Sequence, residues 1–215
     1  GIGEQSGYQG TPNSSVGLMI DDIDFSGQGG ISSSFDMEQI EVHRGPQGSR
    51  MGANALAGMI YMRSKQPTDV FEGLSELSLG SDGVRSVGVA FGGPVQDNPA
   101  IKYRVSIRND ESDGFRKNSY LNRDDTTGKD ELTVRLKLNH QPSEDTELNV
   151  LIQKSDFAAL SDSWTTDGSL NTLSDNPGFD SQDSAAYALR ANHRRKVLSL
   201  QSLTSATTPD ILVSY

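Results

Sequence analysis

From about residue 70 onward, apolar and polar residues take turns along the chain. Between residues 101 and 109, Ile101, Tyr103, Val105 and Ile107 oppose Lys102, Arg104, Ser106 and Arg108. Between 132 and 139, Leu132, Val134, Leu136 and Leu138 oppose Thr133, Arg135, Lys137 and Asn139. Val87, Val89 and Phe91 alternate with Ser86, Gly88, Ala90 and Gly92, and Leu148, Val150 and Ile152 with Glu147, Asn149 and Gln153. A period of two predicts antiparallel strands with one apolar and one polar face. Residues 71–80 and 185–193 alternate less cleanly, and 197–205 are ambiguous because the register shifts at 201–203. Connectors at 80–83, 93–99 and 141–145 are short, whereas those at 110–130 and 156–184 are long. Residues 68–215 thus read as an up-and-down meander of about seven or eight strands.

Residues 1–67 have another texture. Residues 1–15 read as loop, and 16–23 (VGLMIDDI) as one short strand ending in acids. A glycine-rich loop follows, and Asp36 can cap a helical turn over 37–39. Residues 39–43 and 59–63 read as two more strands, so this part is compact α+β, with a boundary at 66–70. Between its last two strands stand Gly45, Pro46, Gly48, Gly52 and Gly58. Glycines so clustered mark tight turns or close backbone approach. They can cradle a phosphate or form a purely structural knot.

Charge and composition narrow the function classes. With 19 Lys and Arg against 29 Asp and Glu the net charge is −10, which argues against a nucleic-acid partner. There is no cysteine, hence no disulfide or thiolate site. No apolar run is long enough for a membrane helix, but a transmembrane β-barrel is allowed. His43, His140 and His193 are far apart, and no nucleophile elbow or phosphate loop occurs, so no catalytic residue, metal ligand or cofactor is assigned. Asp21, Asp22 and Asp24 can serve acid–base work or calcium; the plainer reading is a solvated or ion-paired turn. The aspartates of the second long loop, Asp162 among them, are sparser than a calcium-binding loop and read as solvated, with divalent-cation binding as the alternative.

Residues 36–67, DMEQIEVHRGPQGSRMGANALAGMIYMRSKQP, resemble the C-terminal half of the plug domain of TonB-dependent outer-membrane receptors. The resemblance rests on Ile40-Glu41-Val42, on Arg44-Gly45-Pro46-Gln47-Gly48, on Gly52, Ala55 and Gly58, and on Lys65 and Pro67. The preceding VGLMIDDID is similar to the family's strand before that motif. In this reading the glycines are structural.

The resemblance implies an α+β plug half over 1–67, followed over 68–215 by the first seven or eight antiparallel up-and-down strands of a transmembrane β-barrel, a part of a barrel of about 22 strands. Apolar faces would meet outer-membrane lipid and polar faces the plug. The long connectors would be extracellular, the short ones at 93–99 and 141–145 periplasmic, and 80–83 an unusually short extracellular turn. Lys102, Arg104, Arg108, Arg135 and Lys137 would face the lumen. Either they line water or they pair with plug carboxylates such as Asp21, Asp22, Asp24, Glu38 or Glu41. Arg44 would seek its partner in strands beyond this chain. Phe25, Tyr120, Trp164 and Phe179 are candidate ligand contacts by residue type, or else belt and packing aromatics.

The implied function is not enzymatic: a Gram-negative outer-membrane receptor importing a scarce nutrient complex, foremost a ferric siderophore, when the TonB complex rearranges the plug. Alternatives are carbohydrate, cobalamin or haem as ligand, or a soluble β-rich adhesin or carbohydrate-binding module. The segment gripped by TonB and the first plug half are expected outside this sequence.

Overall fold

The computed structural model describes residues 15–28, 33–48, 55–162, 164–165 and 167–214. Two sheets dominate. The smaller is built from β1 (Val16–Ile20), β2 (Ile23–Asp24), β3 (Met37–Arg44) and β4 (Gly58–Ser64), in the order β2-β1-β4-β3. β1 and β4 run parallel, from Val16 opposite Gly58 to Ile20 opposite Met62.

Two sequence expectations are corrected here. The strand expected over 16–23 breaks at Asp21 and Asp22, whose φ angles are +50° and +69°. Positive φ at both central residues is the hairpin turn that matches strand twist, so β2 folds back on β1 with Ile20 opposite Ile23. Asp36 caps no helical turn. It takes a φ of +58°, and the next residue starts β3, where Met37 faces Ser64 across the ladder. Gly48 has helical backbone, and Gly52 lies outside the described residues.

The larger sheet contains β5 (Glu72–Leu79), β6 (Arg85–Val95), β7 (Asn98–Ser112), β9 (Lys129–Ser143), β10 (Thr146–Ser161), β12 (Gly178–Arg194) and β13 (Ser199–Ser214). Each pairs antiparallel with its neighbour in the chain, in the order β13-β12-β10-β9-β7-β6-β5. Residues 197–205 were ambiguous by alternation; from Ser199 to Ser214 the chain is one strand in continuous register with β12. Two short strands, β8 (Lys117–Asn118) and β11 (Asn171–Thr172), lie in the long connectors and pair parallel with each other.

The large sheet is polar on the face that is covered and apolar on the face that is not. Arg104, Ser106, Thr133, Arg135, Lys137, Gln153 and Ser155 are buried, whereas Ile107, Ile152, Tyr187 and Leu189 are 39–50% exposed. The small sheet supplies the cover. Leu18, Ile20, Ile23, Phe25 and Met62 pack with Leu151 and Ala186 of the large sheet in one core cluster. An apolar outer face with a polar inner face inverts a water-soluble sheet and suits lipid outside. No helix among the described residues is long and apolar enough to cross a membrane.

Candidate functional site

The small sheet is fastened to the large one by carboxylates set at its turns. Asp36, held by its left-handed backbone, aims its carboxylate at Arg104 on β7. Arg104 Nε donates to Oδ2 at 2.8 Å and Nη2 to Oδ1 at 2.5 Å, and the two side chains are 3% and 2% exposed. A third bond from Arg104 Nη1 reaches Glu72 on β5 at 2.9 Å. Planar guanidinium and planar carboxylate meet in a fork, a geometry that lysine cannot make.

Asp21 does the same one strand over. Its carboxylate accepts from the Ser64 amide at 3.0 Å, the Ser64 hydroxyl at 2.5 Å and Lys137 Nζ at 3.0 Å. Lys137 Nζ also donates to the Ser64 carbonyl at 3.0 Å. The hairpin turn thus carries a buried, hydrogen-bonded charge. The next residue, Asp22, pairs with Arg190 on β12 and accepts from the Tyr61 hydroxyl at 2.9 Å. Burial, and then the charge of Asp21, push the Tyr61 phenol up from its ordinary value, which keeps it a donor. Arg104 and Lys137 face each other across the β7–β9 ladder, so the two main pairs are adjacent.

Arg135, also buried, has no carboxylate within ion-pair distance among the described residues; its Nε donates to Gln153 at 3.0 Å. Arg108 turns to Glu76 and Asp110 of its own sheet, at 2.8 and 2.9 Å, and lies 5.5 Å over the Phe35 ring. Lys102 meets Asp69 at 2.5 Å. Asp24 accepts from the Ser26 amide, Glu38 meets Arg63, and Glu41 meets His43; none of these three reaches the large sheet in an ion pair. Arg44 is exposed at the end of β3 and has no ion pair among the described residues.

Two contacts had weaker signals in the sequence. Ser184 donates to a buried Gln28 at 2.8 Å. Phe35 fills the place that a Cβ at Gly88 would need, with its ring 2.6 Å from that point. Both needed knowledge of which loop covers which strand. Asp36 was visible as a cap residue and as the start of the plug-like stretch, not as an ion-pair partner, because its left-handed backbone leaves no mark in the pattern.

The motif glycines divide by role. Gly45 has a φ of +89°, and its amide donates to Ala57 at 3.1 Å. A Cβ on Gly58 would stand 2.7 Å from the His43 carbonyl oxygen, so β3 and β4 touch there at backbone distance. Pro46 is exposed, and around Gly48 nothing described lies within 4 Å of an added Cβ.

Of the aromatic candidates, Phe25 is corrected: it is 1% exposed and belongs to the core cluster. Tyr120 and Trp164 are exposed on the long connectors, and Phe179 is partly exposed at the start of β12. Asp162 is also corrected; it is buried and accepts hydrogen bonds from Asn118 and Thr172. Two cavities flank the ion pairs. One of about 250 Å³, toward the short connectors, is lined by Asp22, Tyr61, Lys137, Glu147 and Arg190. The other, of about 650 Å³, toward the long connectors, is lined by Phe35, Asp36, Glu76, Arg108 and Glu131. Among the described residues no group of three His, Asp or Glu side chains could hold a metal ion.

No family model matches the chain. It is 28% identical over 112 residues to the vitamin B12 transporter BtuB of Vibrio vulnificus (strain YJ016), a match covering 52% of this chain and 18% of that protein. In structure it is similar to the ferric yersiniabactin uptake receptor FyuA from Yersinia pestis, with a TM-score of 0.81 and 19% identity over 94% of this chain and 34% of that one. The alcaligin outer-membrane receptor FauA from Bordetella pertussis gives a TM-score of 0.71 and 14% identity over 93% and 31%. The ferric-catecholate import receptor Fiu from E. coli K12 gives 0.69 and 19% over 95% and 33%. The chain spans about a third of the length of these receptors. In fold the chain is similar to these outer-membrane uptake receptors, and part of its sequence is similar to a vitamin B12 transporter.

Proposed function

We propose that this chain is the plug–wall portion of a receptor that imports a scarce nutrient complex across the outer membrane, foremost a ferric siderophore. Residues 1–67 are the C-terminal half of the plug, and 68–215 the first strands of the barrel wall. The observation that carries this reading is the inverted large sheet, polar where the small sheet covers it and apolar where nothing does. The structural relatives take up ferric yersiniabactin or ferric catecholates, which supports iron as the cargo.

In this mechanism no bond is made or broken. Ligand binds on the side of the long connectors, and Tyr120, Trp164 and Phe179 stand there as contacts. TonB, acting on a segment outside this sequence, moves the plug. Movement requires parting Asp36 from Arg104 and Asp21 from Lys137, so the buried pairs set the resistance that the pull must overcome.

The sequence match to a vitamin B12 transporter favours cobalamin as a second reading. Growth tests separate the two. A strain lacking the full-length receptor is given single ferric siderophores as its only iron, or cobalamin as its only corrin. Loss of growth on a ferric siderophore, reproduced by removing TonB, is the expected result. Unchanged growth on every siderophore with loss of cobalamin-dependent growth would replace the first reading by the second.

A further inference from the structure

We infer that the described residues of the two long connectors, within 113–128 and 162–177, form one cooperative unit keyed by Asp162, so that neither connector opens without the other. They are joined by backbone as well as side chains. The Lys117 amide donates to the Leu170 carbonyl at 3.1 Å and the Ser119 amide to Thr172 at 2.9 Å, which makes the parallel β8–β11 ladder. Such a two-residue ladder is too short to persist alone. A buried polar cluster beneath it supplies the rest.

Asp162, at the end of β10, sits at the centre of that cluster. One of its oxygens accepts from Asn118 Nδ2 at 2.8 Å and from Thr172 Oγ at 2.5 Å. Asn118 Nδ2 also donates to the Ser174 carbonyl at 2.8 Å, and its Oδ1 accepts the Leu121 amide at 2.8 Å. Asn118 and Thr172 are fully buried, and Asp162 nearly so. Asn118 is in the first connector, and Asp162, Thr172 and Ser174 are in the second. Each connector therefore completes the hydrogen bonding of the other's buried groups. Opening one leaves unsatisfied polar atoms, and a charge, in the other, which is costly and makes the transition joint. Arg116 Nη1, reaching the Ser169 carbonyl at 3.3 Å, adds a third, part-buried tie.

The consequence is that Tyr120 on one connector and Trp164 on the other are presented as a fixed pair. Whatever displaces one connector displaces both.

The test uses the full-length receptor in detergent micelles, read by amide hydrogen exchange. Asp162→Ala should speed exchange at Lys117 and Ser119, on the other connector, at least tenfold, while amides of β9 and β10 stay protected. Thr172→Val, which keeps shape and loses the hydroxyl, should act in the same direction and serves if Asp162→Ala does not assemble. Reciprocally, Asn118→Ala in the first connector should expose the second to chymotrypsin at Trp164 and Leu170. Asp167→Asn, in the second connector but outside the cluster, should leave Lys117 and Ser119 at the wild-type rate. Faster exchange confined to the mutated connector, or an equal effect from Asp167→Asn, would overturn the inference.

Discussion

Arg104 grips Asp36 through two parallel hydrogen bonds, and neither side chain meets solvent to any useful extent. The two residues are 68 positions apart, Asp36 in the turn before β3 of the small sheet and Arg104 on β7 of the large one. Asp36 owes its aim to a backbone angle that few non-glycine residues adopt, one that aspartate tolerates. A buried pair of this kind is a weak source of net stability, yet breaking it on one side is expensive. It suits an attachment that must be specific at rest and separable under force.

Lys137 offers the first check. Lys137→Met keeps the length of the side chain and removes its charge, leaving Asp21 buried with only the Ser64 donors. A loss of about 3–5 kcal/mol is expected for a buried carboxylate stripped of its cation. Thermal unfolding of the full-length receptor, compared with Lys137→Met combined with Asp21→Asn, reads it: the double variant should be closer to wild type than the single one.

The motif glycines should not behave alike. Gly45→Ala places a side chain at a positive φ and should cost about 1–2 kcal/mol. Gly58→Ala drives a Cβ into the His43 carbonyl and should cost about 1–3 kcal/mol. Gly48→Ala meets nothing among the described residues and should stay within about 0.5 kcal/mol. Denaturation midpoints of the three variants decide whether the cluster is a structural knot.

These glycines also mark what the sequence could and could not say. Period two was enough for the strands around Ile107, Leu136 and Ile152, because one face of each meets the polar interior. It was not enough for residues 197–205, at the start of β13. There Thr204, Ala206 and Thr208 share the outward side with Tyr187 and Leu189 of β12, and no apolar stripe develops. The break at Asp21 and Asp22 was hidden because a hairpin turn with positive φ can be built from aspartates as well as from glycine. That the cations on β7 and β9 share one face was legible from alternation, and that this face points inward was implied by the resemblance. Their partners were not, since pairing depends on which turn of the small sheet lies over which strand. Phe25 looked like a loop aromatic because glycines surround it, yet it anchors the core.

The proposed barrel wall would make depth in the membrane readable on one strand. Ile152 is outward on β10, level with Leu136 and Tyr187. Ala158 is outward on the same strand, beyond Lys154 and Asp156, which pair with each other at 3.1 Å. Ile152→Lys should cost about 2–4 kcal/mol, whereas Ala158→Lys should cost no more than about 1 kcal/mol. Folding into lipid vesicles with a denaturant titration separates the two.

Acid should loosen the long connectors. Burial alone would raise the Asp162 carboxyl, but hydrogen bonds from Thr172 and Asn118 and the nearby charge of Arg116 hold it below the ordinary range. A depressed folded value means stabilisation that is present above the unfolded value, about 3.9, and lost as pH falls through the folded one. Spin labels on the two connectors should therefore hold one distance at neutral pH and broaden only below about pH 4. In Asp162→Asn the distribution should not respond to acid in that window.

The most direct test of the account is charge reversal at the buried fork in the full-length receptor. Arg104→Glu sets two carboxylates against each other, and amides of β1 and β4 should exchange faster while those of β7 and β9 keep their protection. Arg104→Glu combined with Asp36→Arg should recover part of the lost protection in β1 and β4. Unchanged exchange in the small sheet on Arg104→Glu alone would contradict the claim that this pair holds the plug against the wall.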